Sequence, residues 1–90
     1  MNTDYEYFYF TTVPMENRKT PIWTCISHHN GAELGQVRWC TSFLQFCFYT
    51  KDGAILSPSQ LADLQDFVKQ VNAERRASRR KKRAPGNTRT

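Results

Sequence analysis

No stretch of about 18 apolar residues occurs in this 90-residue chain, so no segment is expected to cross a membrane as a helix. Its start, Met1-Asn2-Thr3-Asp4, lacks the basic and apolar regions of a secretory leader, which places the expected compartment in the cytoplasm. Cysteine is scarce and odd in number: Cys25, Cys40 and Cys47 cannot build a disulfide framework, and in a reducing compartment they read as small hydrophobes. There is no C-x-x-C pair. Cys25 and His28 point to opposite faces of a strand, while Cys25 and His29 share a face but lie too far apart to chelate easily, so no metal and no cofactor is expected. Only four glycines are present, with no phosphate-cradling loop, no oxyanion-forming turn beside a nucleophile and no paired carboxylates; the chain does not read as an enzyme.

Acidic residues are missing from one end. Residues 1–74 hold five basic side chains (Arg18, Lys19, Arg38, Lys51, Lys69) against eight acidic ones, a net charge of −3. Residues 75–90 hold eight basic side chains and no acid, +8, and together these give the chain its +5. The division is a mildly acidic folded body, 1–74, and a basic Arg/Lys-rich tail, 75–90.

What is abundant is aromatic. Rings make up 13% of the chain, enough to supply a small domain with a core from few positions. Asp4 to Val13 alternates as a strand would, with Tyr5, Tyr7 and Tyr9 on one face and Glu6, Phe8 and Phe10 on the other. Pro14 and the polar run from Glu16 to Pro21 break it. Ile22 to His29 reads as a second strand, and Asn30-Gly31 as a type I′ hairpin turn. Leu34 to Thr41 and Gln45 to Thr50 complete the set; Gly35 fits either a bulge or the hairpin, and residues 41–44 either a loop or a distorted strand. Ser57-Pro58-Ser59-Gln60 carries a capping box with proline in the first turn, and Leu61, Leu64, Phe67, Val68 and Val71 form one helical stripe. The expected fold is α+β: an antiparallel sheet of three to four strands packed on one C-terminal helix (ββββα), with a disordered basic tail and order lost by Ala84-Pro85-Gly86. Phe8, Phe10, Val37 and Trp39 are the candidate core of the helix-covered face.

Leu34-Gly35, Val37-Arg38-Trp39, Phe43, Gln45-Phe46 and Phe48, with Trp23 before them and Leu61, Leu64 and Phe67 after, resemble a group of small uncharacterised proteins from phages and integrative elements of bacteria. The likeness spans roughly residues 22–71 and departs at Leu44, where the group has an Arg before the Gln. The resemblance implies a mobile-element origin and the ββββα order, and no activity.

Two surfaces are candidates for function. Arg75, Arg76, Arg79, Arg80, Lys81, Lys82 and Arg83 place seven cations in nine residues, and no large apolar residue interleaves them as a membrane-surface helix would require. Such a segment suits non-specific contact with a nucleic-acid backbone, because the arginine fork donates two hydrogen bonds to one phosphate; the plainer alternative is a solvated tail. One helix covers one face of a sheet, so Tyr5, Tyr7 and Tyr9 are expected on the open face as a partner-binding surface, for stacked bases or for a protein. The expected function is that of a non-enzymatic mobile-element accessory protein contacting nucleic acid through its tail. The alternative is an inhibitor or adaptor docking on a host or phage protein through its acidic, aromatic body.

Overall fold

The computed structural model describes residues 1–14, 17 and 19–87, with side chains described to residue 78. Four strands, β1 (Phe8–Val13), β2 (Ile22–Ser27), β3 (Glu33–Cys40) and β4 (Gln45–Thr50), precede one helix, α1 (Pro58–Asn87). The strands form a single antiparallel meander in the order β1-β2-β3-β4. Residues directly opposite one another share a face, so Phe10 opposite Cys25, Trp23 opposite Val37, and Trp39 opposite Phe46 all lie on the helix side. This is the ββββα arrangement expected from the sequence. The polar break at residues 14–21 falls partly on residues 15, 16 and 18, which lie outside the described residues.

The helix starts as its sequence directs. The Ser57 amide donates to Gln60 Oε1 at 2.7 Å and the Gln60 amide to Ser57 Oγ at 3.3 Å, a reciprocal capping box. Leu64, Phe67 and Val71 are buried and Val68 packs beside them, but Leu61 is 50% exposed. Leu61 sits in the first turn, before the helix comes over the sheet, so the periodic stripe overcounts the core by one. Phe67 is wholly buried: its ring stacks on Phe10 with centroids 3.8 Å apart and meets Trp23 edge-on at 5.7 Å. Phe8, Phe10 and Val37 are core as expected; Trp39 is half-buried at its margin.

Each sheet edge is capped over part of its length. Along β4, the Phe46 amide donates to Asn72 Oδ1 at 2.8 Å and Asn72 Nδ2 donates to the Phe46 carbonyl at 3.1 Å, so one helical side chain satisfies both backbone groups of an edge residue. Along β1, the N-terminal segment doubles back. The Tyr5 amide donates to the Phe8 carbonyl and the Phe10 amide to the Thr3 carbonyl, each at 2.9 Å, and Asp4 bridges to Tyr9.

That reversal corrects the expected strand from Asp4 to Val13. A tight turn at Glu6-Tyr7 interrupts the period-two count, and Tyr5 lands on the helix side, with ring centroids 5.9 Å from Phe8 and 6.0 Å from Phe10. Its hydroxyl donates to Asp66 Oδ2 at 2.8 Å and accepts from Gln70 Nε2 at 2.8 Å. Tyr5, Tyr7 and Tyr9 therefore do not share one open face.

The β2–β3 connection also differs from the expected type I′ turn. Strand β2 stops at Ser27 and a five-residue loop follows, in which Gly31 alone has a positive φ, 71°. Ser27 Oγ accepts from the His29 amide and Asn30 Oδ1 from the Ala32 amide, so local side chains hold a wider turn. Gly35 belongs to a bulge: Cys25 faces Gly35 while Ile26 faces Glu33, leaving Leu34 extra. A Cβ on Gly35 would fall on the Phe48 ring and the Tyr49 carbonyl, so this position admits glycine alone without displacing the neighbouring strand.

Two sets of substitutions check this packing by urea denaturation. Gly35→Ala is expected to cost about 2–3 kcal/mol through overpacking. Phe8→Ala should cost about 3–5 kcal/mol and Tyr7→Ala, at an exposed turn, under about 1 kcal/mol. Tyr5→Ala should exceed the Tyr7 loss by at least about 1 kcal/mol; equal losses at both would refute the inward placement of Tyr5.

Candidate nucleic-acid interface

The basic segment begins where the helix leaves the sheet. Asn72 holds α1 against β4, and one turn later Arg75 lies over the indole of Trp39, its guanidinium carbon 4.2 Å from the ring centroid. The Arg75 Nε is buried without a hydrogen-bond partner. No carboxylate pairs with this guanidinium among the described residues, so its contact with Trp39 is the one that holds it to the body. Arg76 is exposed beside it. Arg75, which the sequence puts at the head of a disordered tail, is thus docked on the body. Arg79, Arg80, Lys81, Lys82 and Arg83 lie in the helix, whose Ala, Arg and Lys residues are all good helix formers, and their side chains lie outside the described ones.

Facing the two arginines is the β3–β4 loop. Residues 41–44 are a loop rather than a strand continuation, closed by the Leu44 amide on the Thr41 carbonyl at 3.2 Å. Leu44 takes a left-handed φ of 54°, alone among the described non-glycine residues, at a cost of about 1–2 kcal/mol. The turn sets Phe43 68% and Leu44 71% exposed, two large apolar side chains at one loop tip. Between loop and helix runs a groove of about 250 Å³ lined by Trp39, Phe43, Leu44, Gln45, Asn72, Arg75 and Arg76, with no acidic residue. From the sequence, Trp39 is a core candidate, and Phe43 and Leu44 enter only through the resemblance, with no site assigned to them. A further signal was their uninterrupted apolarity between two strands.

The tyrosines are dispersed. Tyr5 is committed to the helix interface, and Tyr7 is exposed at the N-terminal turn. Tyr9 is half-buried on the open face with its ring 4.9 Å from that of His28, which in turn meets Asp4 Oδ1 at 2.7 Å. The open face has another aromatic feature at its far edge, where Arg38 lies over Tyr49 at 5.2 Å.

Cysteine chemistry divides between the two faces. Cys25 is buried under the helix, and burial pushes its thiol up to about 12. Cys40 and Cys47 are diagonal neighbours on the open face. The Tyr49 hydroxyl donates to Cys40, and with backbone donors from Phe43 and Ser42 this holds the Cys40 thiol below its usual value. Cys47 moves the other way, through burial first and then the charge of Cys40. Among the described residues no three His, Cys, Asp or Glu side chains gather as a metal site, and no helix is long and apolar enough to cross a membrane.

Compared with family models, with curated proteins and with solved structures, the chain matches none of them.

The thiols offer a direct check on the open face. A depressed folded-state pKa means more thiolate at neutral pH, so iodoacetamide should modify Cys40 before Cys47, and Cys25 only on unfolding. Tyr49→Phe removes the donor, and the rate–pH profile of Cys40 should then shift to higher pH. An unchanged profile in that variant would show that the hydroxyl does not hold the thiolate.

Proposed function

We propose that this is a non-enzymatic accessory protein of a bacterial mobile element, acting in the cytoplasm and binding nucleic acid through the basic half of α1. The observation that carries the reading is the continuity of that helix. One element packs on the sheet as far as Asn72, docks Arg75 on Trp39, and runs on to Asn87 through a segment without a single acid. About 18 Å of helix follows Arg75 at 1.5 Å per residue, enough to lie along several phosphates of one backbone. Arginine suits this contact through its bidentate fork, and the attraction is independent of base sequence.

A second reading has its own observation. The body is acidic and exposes Phe43 and Leu44 at one tip, which is how a small adaptor or inhibitor would present an apolar anchor to a host or phage protein. Recovery of one stoichiometric protein from lysate after nuclease treatment would favour it.

Truncation after Arg76 tests the first reading and spares the stack on Trp39. Removing residues 77–90 should leave the melting temperature within about 2 °C, because the last core residue is Val71. Affinity for a short duplex at low salt should fall at least about 100-fold. In the full chain, log K against log salt should have a slope near −5 if about six phosphates are engaged. Full affinity in the truncated form would remove the basic half of α1 as the binding element.

A further inference from the structure

We propose that the groove between the β3–β4 loop and α1 holds one nucleotide of a single strand, with its base against Phe43 and Leu44 and its phosphate on Arg75 and Arg76. This rests on the nucleic-acid reading above and names the form of nucleic acid that the site selects. Three features of the groove converge on that ligand.

The first is an anion receptor already oriented. Arg75 lies over the Trp39 ring and pairs with no carboxylate among the described residues, and Arg76 stands exposed next to it. A guanidinium resting on a ring loses less freedom on meeting a phosphate than a free one, and two adjacent arginines in a groove with no acidic residue in its lining favour a multiply charged or polymeric anion. The second is an exposed ring opposite those charges. Phe43 lines the same groove and is 68% exposed, and Leu44 is held beside it by a left-handed backbone that a leucine adopts only against a steric penalty. Neither residue contributes to the core, so the loop maintains an apolar platform that folding itself does not use. The third is polar edge chemistry: Gln45 lines the groove with an amide able to donate and accept, as a base edge requires.

A duplex cannot use this arrangement, since its bases are stacked on one another. In a single strand the bases are free to leave the stack and lie on an aromatic side chain, while the basic half of α1 follows the neighbouring phosphates. A protein partner would also meet Phe43 and Leu44, but an apolar anchor alone gives no use to two arginines without a carboxylate partner among the described residues, whereas a nucleotide engages both halves of the groove.

The test is fluorescence anisotropy with labelled oligo-dT and oligo-U of about 12 nucleotides and with a duplex of equal length, using the full chain, Phe43→Ala and Arg75→Lys. Phe43 is largely exposed, so its replacement should leave the melting temperature unchanged. Phe43→Ala is expected to weaken single-strand binding by about tenfold, the usual effect of losing one stacked base, and duplex binding by less than twofold. Arg75→Lys keeps the charge but loses the fork, and should weaken single-strand binding by several-fold. The dT and U arms distinguish DNA from RNA as the strand bound. Equal losses on single strand and duplex, or no loss on either, would overturn the nucleotide site while leaving binding by the basic helix in place. A full chain that binds neither form would overturn both. Unchanged nucleic-acid binding in Phe43→Ala, with loss of a co-purifying protein, would overturn it in favour of a protein-docking loop.

Discussion

Phe67 is where helix and sheet hold each other. Its ring lies parallel to Phe10 at 3.8 Å and edge-on to Trp23, so a single side chain from α1 reaches β1 and β2 together. A chain with so few core positions relies on large rings, and the rest of the core is arranged around this one: Phe8 against Phe10, and Phe46 against Trp23 and Trp39. Placing Phe67 over the first two strands also sets where the helix crosses the sheet. It brings Asn72 to the edge of β4 and Arg75 over Trp39. The candidate interface is therefore a consequence of the core packing, because the same helix that buries Phe67 delivers the basic segment.

The sheet's edges follow a similar economy. Four strands in a meander leave two open edges, each a template for unwanted pairing. At β1 the N-terminal residues fold back and are tied to α1 through Tyr5, Asn2, Asp66 and Gln70. At β4 the Asn72 amide caps Phe46. Each closure uses a side chain on α1, so helix docking and edge protection form together.

Beyond Phe46 the β3–β4 loop escapes this closure. Its tip carries Phe43 and Leu44 out of the core on a strained backbone, opposite arginines with no acidic partner among the described residues. Apolar exposure, backbone strain and unpaired charge each disfavour the free protein. Their meeting in one groove is what supports the proposal of a ligand there.

The sequence by itself determined the elements. Period-two aromatics marked the strands, the box at Ser57–Gln60 marked the helix start, and the spacing of Leu64, Phe67 and Val71 marked the buried stripe, because each depends on neighbours within a few residues. The charge division at Glu74 was legible for the same reason. Only the tertiary structure decided the face of Tyr5, since one tight turn at Glu6-Tyr7 resets the alternation that a linear count carries through. It alone decided that Asn30-Gly31 sits in a wider loop, where the hydroxyl of Ser27 and the amide of Asn30 compete successfully with the two-residue turn. And it alone brought Trp39, Phe43 and Arg75 together, because residues 32 to 36 positions apart meet only once a helix has been laid across the sheet at an angle set by Phe67.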